Sequence, residues 1–198
     1  MGRPSQKEQI LAAAGRLFSK KGYHATTIRE IAEETGILSG SLYAHIQSKE
    51  DLLFEIVDEG AMAFLNSIED IVNSPSDPVT KLRAGLAAHI QVIAEHLDAS
   101  TVFFHEWQAL SEPRREMIQK KRDQYEAQWA AILDAGAREG VFASRDPKFA
   151  RLLILSVANW VYQWYRPTGN LSPSDIAERF TDVIVDGLKP VPSEEGTK

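Results

Sequence analysis

Apolar residues recur along this chain at spacings of three and four, with no convincing stretch of strict alternation. That period belongs to amphipathic helices, so the pattern predicts an all-α protein. Ile10, Ala13, Ala14, Leu17 and Phe18 form one apolar stripe. Ser5 and Glu8 precede it in capping-box spacing, and Lys20, Lys21 and Gly22 suit its end. Thr27 and Glu30 repeat the capping signal before a short helix that turns Ile28, Ile31 and Ala32 inward and ends at Gly36. Ser39 is expected to cap a third short helix, running to about Ile46. Ser48 and Asp51 open a fourth, which continues through Leu52, Leu53, Ile56 and Val57 to about Asn73.

The turn-rich segment 73–78 ends in Asp77-Pro78, a cap followed by proline at the first helical position. Helices are expected at about 78–96, 99–110 and 113–139, the last stopped by Gly140. Asp146-Pro147 opens another to about Tyr165, and Ser172-Pro173 opens a final one that Gly187 closes. The pattern gives nine helices, no internal repeat, and a polar tail at 190–198 expected to be disordered.

Composition narrows the function classes. The chain has 198 residues and no cysteine, which excludes disulfides, zinc–thiolate sites and thiol catalysis. No apolar run reaches the roughly 18–20 residues of a membrane helix, and the N-terminus lacks the apolar stretch of a signal peptide, so a cytoplasmic location is expected. The net charge of −6 is unevenly spread: residues 1–50 carry 7 Lys and Arg against 5 Asp and Glu, and residues 51–198 carry 15 against 23. Only the N-terminal quarter can approach a phosphate backbone without self-repulsion. There is no nucleophile elbow, phosphate-binding glycine loop or metal motif, and His105 and Glu106, as neighbours on a helix, point apart. An enzyme, a metal sensor and a bound cofactor are therefore not expected.

Residues 28–47 carry the most specific signal. Two helices joined by a tight turn need a small residue where they cross and a residue tolerant of positive φ in the turn; Ala32 and Gly36 supply these four positions apart. Ile31, Ile37 and Leu42 fall where the motif needs apolar side chains. The arrangement is that of a helix-turn-helix, whose second helix enters the major groove. The start of that helix, Leu38-Ser39-Gly40-Ser41, has mostly small side chains that allow close approach to base edges, and Ser39 and Ser41 can hydrogen-bond bases or phosphates. Tyr43 and His45 present polar tips near the backbone, while Lys49 and Thr27, at helix starts, can reach phosphates.

Thr26-Thr27-Ile28-Arg29-Glu30-Ile31-Ala32 with Gly36, then Gly40-Ser41-Leu42-Tyr43-Ala44-His45-Ile46 and Ser48-Lys49-Glu50-Asp51-Leu52, resemble the TetR family of regulators. The departures are mild: Thr35 where the family has Ala, Ile37 for Val, Leu38 before the serine, and Ile46 for Phe. The resemblance implies that Thr27, Tyr43, His45 and Lys49 mainly contact phosphates, and that Arg29 and Leu38, Ser39, Gly40 and Ser41 read bases. It implies a three-helix DNA-binding domain at 1–48, a helical effector-binding and dimerisation domain at 49–189, and a homodimer reading a palindromic operator. Leu152, Leu153, Leu155, Val157, Ala158, Val161, Ile176, Phe180, Val183, Ile184 and Leu188, apolar around more than one helix face, fit an interface between protomers.

Three aromatic stripes are candidate walls of an elongated apolar effector pocket: Phe103, Phe104 and Trp107; Tyr125 and Trp129; Trp160 and Trp164. The segment Trp160-Val161-Tyr162-Gln163-Trp164-Tyr165-Arg166-Pro167 resembles TetR regulators of steroid-ring catabolism, whose effectors are CoA thioesters. That subgroup carries an arginine one turn before the first of these tryptophans, where this chain has Ser156. Arg114, Arg115, Lys120, Lys121 and Arg122 are candidate partners for CoA phosphates. The expected function is a repressor released from its operator by an acyl-CoA; a multidrug or efflux regulator answering to hydrophobic compounds is the alternative.

Overall fold

The computed structural model describes residues 4–143 and 146–188. The expected disordered tail at 190–198 lies outside the described residues. Among these, the regular elements are α1 (Gln6–Lys21), α2 (Ile28–Thr35), α3 (Ser39–Leu42), α4 (Lys49–Asn73), α5 (Pro78–Glu95), α6 (Leu97–His105), a 3-10 turn (Trp107–Ala109), α7 (Glu112–Arg138), α8 (Pro147–Asn159), α9 (Val161–Trp164) and α10 (Pro173–Leu188).

The caps explain why the elements start where they do. Ser5 Oγ accepts from Glu8 N while Ser5 N donates to Glu8 Oε2, and Thr27 and Glu30 repeat the reciprocal pair at α2. At α4, Asp51 N donates to Ser48 Oγ at 3.2 Å and Ser48 N to Asp51 Oδ2 at 2.7 Å. Asp77 Oδ1 accepts from Val79 N and Thr80 N, both at 3.0 Å, and Asp146 caps α8 through Phe149 N. Ser172 and Asp175 cap α10 reciprocally. Each cap satisfies amides that the first helical turn would otherwise leave without partners.

Four of the expected helices differ: the one expected at 99–110 is α6 followed by the 3-10 turn, α10 runs through Gly187 where a stop was expected, and α3 and the helix opened at Pro147 differ as follows. Ser39 is the first helical residue of α3 and not its cap; Leu38 takes that position (φ −71°, ψ 141°) with no side-chain cap bond. The regular helix ends at Leu42, where Ile46 was expected, and the chain continues in tighter turns, with Ala44 N donating to Ser41 O and His45 N to Leu42 O. Ser39, Gly40 and Ser41 are weak helix formers, so only tertiary packing holds the segment. The helix expected to end near Tyr165 is interrupted at Trp160, where Gln163 N donates back only three residues, to Trp160 O. No Gly or Pro marks that break.

The described residues divide into two compact units, 4–64 with 95–122 and 65–94 with 123–143 and 146–188. In the first, α1 packs on both α2 and α6. Ile10, Ala13, Ala14 and Phe18 of α1 are buried with Ile31 and Ala32 of α2, Leu42 of α3, Ile46, and Leu52, Leu53, Ile56 and Val57 of α4. Each large member of this core is worth about 1.5–3 kcal/mol of transfer free energy. In the second unit Leu82, Leu86, Ile90 and Ile93 make the inner stripe of α5. They share a core with Trp129, Ile132 and Leu133 of α7, Ile154, Leu155 and Ala158 of α8, and Ile176 and Ala177 of α10.

The α2–α3 corner depends on Gly36, at φ 70° and ψ 24°. Ile37 N donates to Ala32 O at 3.0 Å and Gly36 N to Glu33 O at 3.2 Å, the paired bonds of a Schellman turn. A Cβ at Gly36 would meet nothing within 4 Å, so a substitution there is opposed by backbone conformation alone. Gly36→Ala is expected to lower unfolding free energy by about 1–2 kcal/mol, and Gly36→Asn by less, because asparagine tolerates the left-handed region. Denaturant midpoints of the three proteins check this.

Candidate nucleic-acid interface

The first unit presents the segment from Leu38 to His45 outward. Leu38 is 80% exposed and Tyr43 57%, Gly40, Ser41 and His45 are exposed, and Ser39 is half-buried. Leu42 and Ile46 of the same segment are buried and anchor it. A short helix with two apolar anchors inward and small or polar side chains outward has the form needed to enter a groove without unfolding. Large apolar residues as exposed as Leu38 are unusual in a core-forming segment, and this one stands at the tip of the corner.

The other candidates are more engaged than their sequence suggests. Thr27 is exposed, but its hydroxyl donates to Glu30 Oε2 at 3.0 Å and accepts from Glu30 N at 3.2 Å. Arg29 is exposed and paired with Glu33 one turn on, Nε to Oε1 at 2.8 Å. Such a surface pair is worth a few tenths of a kcal/mol, so a base or phosphate can displace Glu33 at small cost. Lys49 is half-buried: its Nζ donates to the carbonyls of Tyr23 and Thr26, each at 2.8 Å, and lies 4.3 Å from the centre of the Tyr23 ring. Burial holds its pKa below the usual lysine value. Lys49 thus clamps the loop between α1 and α2, a role that spacing along the chain did not indicate, since its acceptors lie 26 and 23 residues away.

The aromatic candidates fall into separate surroundings. In the first unit Phe103 is buried, Phe104 and Trp107 are half-buried, and both phenylalanines lie against Phe64. The Arg122 guanidinium lies 5.0 Å from the Phe103 ring centre and 4.9 Å from that of Trp107. In the second unit Tyr125 and Trp129 are core residues with rings edge to face. Ser156, Trp160 and Trp164 are exposed in the single chain, Trp160 at 59%, along with Phe149, Leu152, Leu153 and Val183. Of the side chains read as an interface, Leu155, Ala158, Val161, Ile176 and Ile184 are buried in the chain's own core; the side chain of Leu188 lies outside the described ones. The basic set expected to hold CoA phosphates is also largely engaged: Arg114 and Lys121 pair with Asp51 and Asp58 of α4, and Arg122 with the aromatic rings.

One buried polar pair was not anticipated. His89 of α5 and Tyr125 of α7 are both buried, with Nδ1 and the hydroxyl 2.7 Å apart. Burial pushes the His89 imidazole down to about 3 and raises the Tyr125 phenol. A histidine whose folded pKa is depressed binds its proton only on unfolding. It contributes full stability above pH 6.5 and loses it as pH falls from there toward 3, at about 1.4 kcal/mol per pH unit. Urea midpoints are expected to fall between pH 6.5 and pH 4, and His89→Gln, though less stable at pH 7, should flatten that slope.

Among the described residues, no helix is long and apolar enough to cross a membrane, and no group of His, Asp and Glu could hold a metal ion. A surface-presented short helix behind a left-handed glycine turn, backed by a three-helix core, defines a helix-turn-helix DNA-binding regulator.

Comparison with known proteins gives the family. Residues 10–56 match the family model described as bacterial regulatory proteins, tetR family, and residues 75–188 the tetracyclin repressor-like C-terminal domain. The chain is 32% identical over 190 residues to the HTH-type transcriptional repressor KstR2 of Mycobacterium tuberculosis, covering 93% of each. The solved structure of the ketosteroid transcriptional regulator KstR2 of Mycobacterium tuberculosis superposes with a TM-score of 0.89 at 29% identity, over 96% of this chain and 98% of that one. That of AibR in complex with isovaleryl coenzyme A and operator DNA gives 0.80 at 28% identity, over 94% and 99%. This chain belongs to the TetR family of transcriptional regulators.

Proposed function

We propose that this protein is a repressor that reads a palindromic operator as a homodimer and leaves it when an acyl-CoA thioester binds. The observation that carries the DNA-reading part is the outward presentation of Leu38, Gly40, Ser41 and Tyr43 on a segment anchored by Leu42 and Ile46. In this reading Ser39, Gly40, Ser41, Leu38 and Arg29 face bases, and Thr27, Tyr43, His45 and Lys49 face phosphates, with Lys49 using what its carbonyl partners leave. Residues 1–48 form the reading head, and 49–189 hold the effector and the partner protomer.

Support for the homodimer comes from the outer stripe of α8. Phe149, Leu152 and Leu153 are exposed, and Trp160 continues the stripe. A row of large apolar side chains in water is costly, and a second copy covers it symmetrically. Support for a CoA ester comes from the overall likeness to AibR, solved with isovaleryl coenzyme A, and to KstR2. Phe103, Phe104 and Trp107 of the first unit are the candidate contacts.

The effector acts by binding one conformation better than the other. A 100-fold loss of operator affinity requires about 2.7 kcal/mol of such preference. Fluorescence anisotropy on palindromic and scrambled duplexes, with CoA esters, the free acids and cationic drugs titrated in turn, tests the proposal. Release by CoA esters alone is expected; equal affinity for both duplexes, or release by the acids or drugs alone, contradicts it.

A further inference from the structure

We infer that Asp51 of α4 and Arg114 of α7 form a latch that positions the DNA-reading segment. The inference rests on reading residues 39–46 as that segment. Asp51 uses its two carboxylate oxygens in opposite directions. Oδ2 accepts from Gln47 N at 3.0 Å and from Ser48 N at 2.7 Å, the backbone amides of the turn by which the chain leaves the reading segment. Oδ1 accepts from Arg114 Nη2. The turn that follows Ile46 is therefore tied, through one side chain, to the first turns of α7.

The arginine is itself held in place. Its guanidinium lies 5.1 Å from the centre of the Phe54 ring, and its Nη1 is 3.7 Å from Glu50 Oε1. Glu50 Oε1 also accepts from Ser111 N at 2.8 Å, so the segment leading into α7 is bonded to the first turn of α4 beside the latch. Asp51 is 19% exposed and Arg114 30%, which separates this pair from the solvent-screened pairs on α2. Hydrogen bonding to Arg114, with the two backbone amides and Ser48, holds the Asp51 carboxyl below the usual aspartate range, so it is ionised at neutral pH.

A simple helix cap would need only Oδ2. The second oxygen, the pinned guanidinium and the adjoining Glu50–Ser111 bond have no part in capping α4. Together they set where the end of the reading segment stands relative to α7. Without the arginine, Asp51 can still cap α4, but the carboxylate is free to turn and the exit turn with it. Tyr43 and His45 lie two to four residues before that turn, so a small swing there displaces their tips from the DNA backbone.

The test uses the whole 198-residue chain and four variants: R114M, R114K, D51N and the D51N/R114M pair. Asp51→Asn keeps an oxygen for Gln47 N and Ser48 N and removes a negative charge. If charge alone mattered, D51N would bind DNA more tightly; a latch requires weaker binding to the operator. The expected result is about tenfold weaker operator binding for R114M and for D51N, equivalent to about 1.4 kcal/mol each. Affinity for scrambled duplex should not fall in D51N, and thermal midpoints should stay near that of the unmodified protein. R114K should recover part of the loss, and the double variant should be no weaker than R114M, since coupled residues do not add.

Hydrogen exchange reads the latch without DNA: the Gln47 and Ser48 amides should exchange at least tenfold faster in R114M. Unchanged exchange there, unchanged or tighter operator binding by D51N, or additive losses in the double variant would overturn the latch. An unmodified protein that does not prefer the palindrome would instead overturn the reading of the segment.

Discussion

Gly40→Glu is expected to lower operator affinity by at least 100-fold, about 2.7 kcal/mol, while leaving the folded chain as stable as before or slightly more so. The two halves of this expectation have separate causes. A Cβ at Gly40 meets nothing within 4 Å, and the residue is in the first turn of α3, where glycine is a poor helix former and an acidic side chain suits the positive helix end. Nothing in the protein resists the change. With α3 docked in a major groove as proposed, the same side chain would stand at the base edges and set a carboxylate among phosphates. Gly40→Ala, with a single added methyl and no charge, should cost tenfold or less. Anisotropy titrations at fixed salt, paired with thermal melts, measure both halves. Tight operator binding by Gly40→Glu would mean that α3 does not face the groove.

Trp129→Ala is expected to lower unfolding free energy by about 3–5 kcal/mol. Trp129 is fully buried and heads the large side chains of the core. Its neighbourhood is tight as well as apolar: a Cβ at Gly85 of α5 would stand 3.1 Å from Trp129 Cη2 and 3.6 Å from Ile68 Cδ1. Packing of this density leaves little room to collapse into the space an indole vacates, so most of the cavity cost is retained. The converse change, Gly85→Ala, pushes a methyl against the indole and is expected to cost about 1–3 kcal/mol. In a Trp129→Phe background the smaller ring gives that methyl room, so the two losses should be less than additive. Denaturant unfolding of the four proteins checks the cycle. A loss below about 1 kcal/mol for Trp129→Ala would mean the indole is not part of the stabilising core.

How much of this was legible in the sequence varied with the distance over which each feature is decided. The capping pairs Ser5–Glu8, Thr27–Glu30 and Ser48–Asp51 form between residues three apart, and each is readable from that spacing; at the last helix the spacing marks Ser172-Pro173, and the structure adds Asp175 as the partner of Ser172. Gly22, Gly36 and Gly140 take positive φ where a helix stop was expected. The Ala32–Gly36 corner closes on itself through backbone bonds within six residues. Where no local marker exists the pattern misplaces an element: spacing gives Ser39 the cap that Leu38 holds, and no residue marks the break at Trp160.

The sequence by itself determined a helical pattern, most of its stops and starts, and a helix-turn-helix corner, because periodicity, caps and glycine turns are settled by residues within one or two helical turns of each other; the TetR kinship lay in the motif strings around that corner. Only the tertiary structure decided that Lys49 clamps the carbonyls of Tyr23 and Thr26, and that Arg114 and Lys121 answer to α4 carboxylates 63 residues away. It also decided which apolar face of α8 turns inward, with Leu155 and Ala158 buried and Leu152 and Leu153 left outside. These outcomes depend on which helix lies beside which. A one-dimensional pattern records how apolar each face is, but not the distant partner that covers or neutralises it.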